Sequence, residues 1–212
     1  FGGVKLMLDG VIDAKTAALL EPYAGDAARG ESFWTRADFL RTVAELDRLG
    51  VPMSTHAIGD ASVRLALDAY EAAARANGAW TGRGARRHKV EHVEVVALRD
   101  VGRFRELGVT ASFQPLHANP DPAWLGVWER NLGPVRVERG FAWALFQRAG
   151  ANVAFGSDFP VVTVDPWPAL QMAVARQYVT PDGVARPPGG FVPEQRLTLA
   201  QALDAYTINV AR

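Results

Sequence analysis

The sequence predicts an α/β fold of the β/α-barrel type, and three observations carry that prediction. Short apolar runs recur along the 212 residues, and an amphipathic helical stretch follows each run after a short turn. Five such units fit about five-eighths of a barrel, because a complete eight-stranded barrel usually needs about 250 residues. His56, His92 and Asp158 each lie at the end of an apolar run, which is where barrel active sites are built.

The apolar runs define the predicted strands and the periodic stretches define the predicted helices. The strands are Val4–Leu8, Val51–Thr55, Lys89–Val93, Val109–Phe113 and Asn152–Phe155. The helices are Arg36–Leu49, Ala61–Ala76, Leu98–Leu107, Phe141–Ala149 and Pro166–Gln177, with a last helix from Leu199. The proline-containing segments 115–134 and 180–193 are predicted to be loops.

A complete doubly wound sheet of five strands is the alternative that this pattern leaves open. Such sheets commonly bind nucleotides through a glycine-rich loop that directly follows a strand. Gly2-Gly3 precedes a strand and Gly189-Gly190 lies between helices, so neither pair stands in that position. Nucleotide binding is therefore unsupported.

Composition limits the classes of partner. Basic and acidic residues number 23 each, so net charge offers no general attraction to nucleic acid or to an anionic membrane. Cysteine is absent, which rules out disulfides, thiolate metal sites and cysteine nucleophiles. No apolar run reaches the ~18 residues that a membrane span needs, and no signal peptide is visible. We expect a cytoplasmic protein.

One basic cluster precedes and opens the third predicted strand: Arg83, Arg86, Arg87, His88 and Lys89. A short run of charges is usually solvated. We therefore interpret the cluster as a solvated loop and expect His88 to face water.

Two imidazoles and one carboxylate at the same end of a barrel suit a divalent cation such as zinc. His56, His92 and Asp158 are therefore candidate metal ligands. Each also has an ordinary structural interpretation, either as a hydrogen-bonded core histidine or as an aspartate in the turn before Phe159-Pro160. Lys5 interrupts an apolar run, and a buried lysine is costly unless it is paired or modified.

Five short motifs occur in an order that resembles the amidohydrolase superfamily. They are V-K-L-M-L-D-G, S-T-H-A-I-G-D, V-E-H-V-E, S-F-Q-P-L-H-A and G-S-D-F-P-V. The sequence is most similar to the YtcJ-like branch, amidohydrolase family 3, which includes N-substituted formamide deformylases. The resemblance covers nearly the whole chain. It implies a distorted TIM-like (β/α)8 barrel of the metal-dependent hydrolase type, usually with a small β-sandwich, in which this chain supplies strands four to eight.

The resemblance also implies roles for individual residues. Lys5 resembles the strand-four lysine that is often carboxylated and bridges two metals. His56 and His92 resemble the strand-five and strand-six ligands, and Asp158 resembles the strand-eight aspartate, which we expect to be both ligand and catalytic base. His117 follows the strand-seven run and either contacts substrate or belongs to a loop. The implied cofactor is one or two divalent ions, with zinc favoured.

The chain departs from the family pattern because no His-x-His occurs in it, whereas the family carries such a pair on strand one. We therefore expect residues 1–212 to be a partial barrel domain that lacks the strand-one region and the β-sandwich segments. A complete binuclear centre is not expected from this chain alone. Open strand edges favour pairing, so we expect association with a further segment or in a homo-oligomer.

The expected function is hydrolysis of a carbon–nitrogen bond other than a peptide bond, through a metal-activated water. The substrate would be a small amide, formamide or cyclic amide, and neither nucleic acid nor a membrane is an expected partner. Asp158 would accept a proton from water and return it to the leaving nitrogen. Two alternatives stay open, namely a catalytically inactive fragment of such an enzyme and a non-metal binding module of doubly wound type.

Overall fold

A parallel sheet of five strands forms the centre of the computed structural model, which describes residues 2–78, 86–180 and 182–211. In spatial order the strands are β1 Val4–Met7, β2 Met53–Ala57, β3 Lys89–His92, β4 Thr110–Phe113 and β5 Val153–Phe155. All neighbouring pairs are parallel. A doubly wound sheet reverses its strand order at a switch point. The strand order here equals the chain order, so that alternative is wrong and the partial barrel is confirmed.

Helices connect the strands and pack on the sheet. They are α1 Arg36–Arg48, α2 Asp60–Asn77, α3 Leu98–Leu107, α4 Pro122–Leu132, α5 Pro134–Val137, α6 Trp143–Arg148, α7 Pro166–Ala175 and α8 Leu199–Tyr206. Side-chain caps fix three of the starts, one of them at α7, where the Asp165 carboxylate accepts a hydrogen bond from the Trp167 N–H. The Thr35 hydroxyl accepts a hydrogen bond from the Asp38 N–H at α1, and Thr198 and Gln201 form a capping box at α8. Such caps satisfy N–H groups that have no partner within the helix.

The two faces of the sheet have opposite characters, as the period of two along a strand requires. One face joins the hydrophobic core through residues such as Leu6, Val90, Ala111 and Val153. Burying each aliphatic side chain of this kind stabilises the fold by about 1.5–3 kcal/mol. The other face is polar and lines a cavity of about 850 Å³, with residues that include Lys5, Ser54, Glu91 and Ser112. A polar concave face and an apolar convex face are what a segment of a barrel presents.

Two predicted loops contain regular structure. The segment after β4 forms a 3-10 turn, Pro115–Ala118, and then α4 and α5. Proline misled the prediction because Pro122 and Pro134 occupy the first turn of these helices, where a missing N–H costs nothing. β7 Ala185–Arg186, inside the second predicted loop, pairs with β6 Tyr178–Val179, just before that loop, as an antiparallel hairpin. The second strand of the sheet begins at Met53 rather than Val51, so His56 lies within it.

The interpretation of the basic cluster as a solvated loop is wrong for its described members Arg86 and His88. His88 is 1% exposed, and its Nδ1 accepts a hydrogen bond from the Met53 N–H at 3.2 Å. Its Nε2 therefore carries the proton and donates a hydrogen bond to Asp47 Oδ1 at 2.9 Å. Arg86 donates to the same carboxylate at 2.6 Å. Arg83 lies outside the described residues.

Acidification should destabilise the fold through His88. Burial lowers the pKa of this imidazole below its ordinary value of 6.5, although Asp47 opposes the shift. As the pH falls below 6.5, His88 is therefore protonated in the unfolded chain before it is protonated in the folded protein. The free energy of unfolding then decreases as the pH decreases. We expect urea denaturation to show this decline between about pH 7 and pH 5. The variant His88→Gln should show a shallower slope, and an unchanged slope would contradict the assignment.

Candidate metal centre

The candidate residues lie at, or shortly after, the carboxyl ends of four neighbouring strands. His56 is the penultimate residue of β2, and His92 is the last residue of β3. His117 lies in the 3-10 turn after β4, and Asp158 lies in the turn after β5. Parallel strands of a barrel open onto one face at these ends. The topology therefore brings residues more than 100 positions apart in sequence, such as His56 and Asp158, to one rim.

Three of these side chains form a compact donor group. One ligand atom each from His92, His117 and Asp158 lies within 4.8 Å of the others. The His92 and His117 rings are stacked, with centroids 5.7 Å apart and planes 7° apart. His56 contacts the group edge-on, because its ring centroid lies 4.5 Å from that of His92. The sequence left His117 open as a substrate contact or a loop residue, and the structure places it among the donors.

Two nitrogen atoms of the donor group have no hydrogen-bond partner among the described residues, and this decides whether a metal ion fits there. Among the residues that the structure describes, no hydrogen-bond partner reaches His92 Nδ1 or His117 Nε2, although both atoms are buried. A buried polar atom without a partner is costly. Two imidazole nitrogens and a carboxylate are donors that divalent cations such as zinc accept. The residues present therefore fit a bound cation.

The imidazoles are held in the neutral form that ligation requires. Burial, followed by the charges of His56 and Lys5, lowers the pKa of His92 to about 3. Burial also lowers the pKa of His117, while the carboxylate of Asp158 opposes that shift. The group therefore presents lone pairs rather than positive charge near neutral pH.

The backbone is strained at two of the three donors. His92 has φ 77° and Asp158 has φ 58°, so both lie in the left-handed region that glycine favours. A residue with a side chain costs on the order of 1–3 kcal/mol in such a conformation, and these conformations cluster at functional sites. Here the strain turns the chain sharply at the ends of β3 and β5.

His56 is anchored on the side away from His92. Its Nε2 lies 3.4 Å from the Gly10 carbonyl oxygen and 3.6 Å from Asp9 Oδ1. Asp9 is completely buried, and its carboxylate accepts hydrogen bonds from the N–H groups of Ala18, Ile58 and Gly59 at 2.9–3.0 Å. The sequence analysis missed Asp9, although a charged residue directly after an apolar run was a visible signal.

Lys5 lies on β1, and its role as a metal ligand stays a prediction. The expectation of a buried lysine is wrong, because the Lys5 side chain is exposed on the concave face of β1, the edge strand of the described sheet. It lines the same large cavity as Asp158. Its positive charge helps to lower the pKa of His56 and His92.

A second cavity, of about 570 Å³, opens beside the donor group. Its lining includes His56, His92, His117 and Asp158, and also Glu94. Glu94 is 7% exposed, and Trp128 donates its indole N–H to Glu94 Oε2 at 3.2 Å. Burial raises the pKa of Glu94 to about 8. The sequence analysis quoted this glutamate in a motif without assigning it a role.

Solved structures define the class to which this arrangement belongs. The chain superposes on an uncharacterized metal-dependent hydrolase from Pyrococcus horikoshii OT3 with a TM-score of 0.81 and 28% sequence identity. The match covers 100% of this chain and 40% of that chain. The fold is therefore that of the metal-dependent hydrolases.

The family is narrower than that class. The model of the "Amidohydrolase family" designated Amidohydro_3 matches residues 1–212, and the chain belongs to this family, in its YtcJ-like branch. The Arabidopsis thaliana protein LONG AFTER FAR-RED 3 is 30% identical, over 100% of this chain and 34% of its own length. The amidohydrolase-like protein YtcJ of Bacillus subtilis (strain 168) is 30% identical, over 84% of this chain and 32% of its own.

A third relative has a named activity. The N-substituted formamide deformylase of Arthrobacter pascens is 28% identical, over 86% of this chain and 31% of its own length. The chain thus spans about a third of the length of these curated relatives. Within the described ranges, no helix combines the length and the apolar character that crossing a bilayer requires.

Removing the Asp9 carboxylate should destabilise the fold. In Asp9→Ala the N–H groups of Ala18, Ile58 and Gly59 lose their acceptor inside the protein. Each hydrogen bond to a charged group contributes about 1.5–3 kcal/mol, so we expect the free energy of unfolding to fall by at least about 3 kcal/mol. Urea denaturation measures this change. The control Asp182→Ala alters an exposed carboxylate in the β6–β7 turn and should leave stability unchanged, and equal stability of the two variants would contradict the role of Asp9.

Proposed function

We propose that this protein is a metal-dependent amidohydrolase that uses water to cleave a carbon–nitrogen bond other than a peptide bond. One observation carries the proposal: buried nitrogens of His92 and His117 lack partners among the described residues, and both side chains lie with Asp158 in one donor group. These three residues would hold a divalent cation, with His56 in edge contact as a further ligand. Zinc suits imidazole and carboxylate donors best.

A bound divalent cation supplies a Lewis acid and lowers the pKa of water to about 7. The chain's own residues perform the remaining tasks. The carboxylate of Asp158 accepts a proton from the attacking water and returns it to the leaving nitrogen. His92 and His117 stay neutral because of their burial, so activity should decline only when acid protonates them. The walls of the second cavity orient the substrate beside Asp158.

The substrate class rests on the relatives and on the cavity. A relative that acts as an N-substituted formamide deformylase supports a small amide or formamide. A cavity of about 570 Å³ lies within the usual range for small-molecule sites. Lys5 as a carboxylated bridging ligand stays a prediction, as does the cytoplasmic location.

Association with further polypeptide is part of the proposal. β1 and β5 are the edge strands of the described sheet, and unpaired strand edges favour pairing. A further segment of the same protein or a second copy would cover them. A monomer with no additional segment, shown by light scattering, would contradict this expectation.

Two substitutions separate the proton acceptor from the ligands. Asp158→Asn keeps the size of the side chain but removes the acceptor, so we expect amide turnover to fall by roughly 10²–10⁴. His92→Ala removes a ligand nitrogen, so it should instead lower the zinc content measured by inductively coupled plasma mass spectrometry.

The control is Asp182→Asn, which alters an exposed carboxylate on the β6–β7 turn and should keep both turnover and zinc. Near-normal turnover in Asp158→Asn with its metal bound would refute the assigned role of Asp158. Full zinc content in a folded His92→Ala variant would refute the metal centre. A protein that binds zinc without hydrolysing any amide would be the catalytically inactive alternative.

A further inference from the structure

Glu94 is a buried carboxyl group, and no cationic side chain among the described residues forms an ion pair with it. It is 7% exposed and lies on the wall of the second cavity. Among the described residues, Trp128 is its one side-chain hydrogen-bond partner, and that bond occupies Oε2 alone. Oε1 is free to accept a further bond. A buried carboxyl group normally acquires a partner because an isolated charge is costly away from water.

The charges around this cavity share one sign. Besides Glu94, its described lining contains the carboxylates of Asp13, Asp121 and Asp158, whereas no lysine or arginine is found among the described lining residues. An anionic ligand would meet these like charges, and a cationic ligand would offset them.

The rest of the wall is apolar. Val11, Ile12, Leu116 and Val161 belong to the lining, and Ile12 is 1% exposed. A ligand that fills this space must therefore carry an apolar body, as is usual for small-molecule sites. The few polar groups then determine which end of the ligand points where.

We propose that the second cavity selects substrates whose apolar body ends in a protonated amine, which donates a hydrogen bond to Glu94 Oε1 while the scissile amide lies at the donor group. This inference rests on the proposed function for the position of the amide. Glu94 acts here as a specificity-determining residue rather than a catalytic one. Substrates that carry a carboxylate in place of the amine are excluded by the same group and by Asp13 and Asp121.

A charge series of ligands tests the proposal on the full-length protein. Three N-benzylformamides with the same apolar body carry an aminomethyl, a methyl or a carboxylate group at the para position. Their affinities are measured by isothermal titration calorimetry on the protein as purified, at mildly alkaline pH where the amine is still protonated. We expect the aminomethyl compound to bind about tenfold more tightly than the methyl compound, since it adds one charge-assisted hydrogen bond. The carboxylate compound should bind weakest.

Variants then assign the effect to the cavity. Glu94→Gln keeps an acceptor for Trp128 but removes the charge, so the aminomethyl advantage should disappear while the affinity of the methyl compound is unchanged. Asp13→Asn changes an exposed residue of the same wall and should reduce the aminomethyl advantage in part. This variant keeps the proposal testable if Glu94→Gln, a buried substitution, prevents folding. The control Glu106→Gln alters an exposed carboxylate on α3 and should change nothing.

The outcomes distinguish this inference from the proposed function. Equal affinities across the charge series, or an aminomethyl advantage that survives in a folded Glu94→Gln variant, would overturn the inference. Zinc content is measured separately on the same preparations. A charge preference without zinc binding would leave the inference standing and overturn the metal centre.

Discussion

The rest of the site depends on the hydrogen bonds that the buried carboxylate of Asp9 accepts. This carboxylate accepts them from three backbone N–H groups, those of Ala18, Ile58 and Gly59. The loop after β1 is thereby tied to the turn between β2 and α2. The approach is so close that a Cβ on Gly59 would lie 2.0 Å from the Ala18 carbonyl oxygen, so only glycine fits there. This junction also carries His56, whose position follows from the same contacts.

Burial, rather than any single charge pair, determines the pKa values of the titratable groups around the donor group. It is the first cause of the lowered pKa of His56, His92 and His117 and of the raised pKa of Glu94. Desolvation disfavours whichever form of a group is charged. The same apolar shell therefore keeps imidazoles ready to ligate and keeps a carboxyl group ready to accept a donor. The positive φ angles of His92 and Asp158 show that the surrounding fold also holds strained backbone in place.

The sequence was sufficient for the parallel sheet because its strands are short apolar runs, each followed by an amphipathic helical stretch. It was also sufficient for the ends of those strands, where His92 and Asp158 were expected and now lie in one donor group. It was insufficient for α4, because Pro122 marks a helix start as readily as a loop. Lys5 and His88 were assigned the wrong exposure. The exposure of one side chain depends on which strand or helix lies opposite, and no local pattern records that.

Glu94 shows the same limit at the site itself. Its motif was visible, but the role depends on Trp128, 34 positions away, and on Asp13 across the cavity. Partners of this kind come from tertiary contacts that the hydrophobic pattern does not specify. Periodicity locates a residue on an element, whereas its chemistry depends on its neighbours in space.

The order of the strands in the sheet has a consequence for how the chain reaches this structure. Every strand of the sheet pairs with the next one along the chain, so the closure of each pair spans only the segment between two consecutive strands. The entropic cost of closing a loop grows with its length, and folding rates fall as contacts become less local. A sheet with this order can therefore extend one unit at a time, with each completed strand serving as the template for its successor.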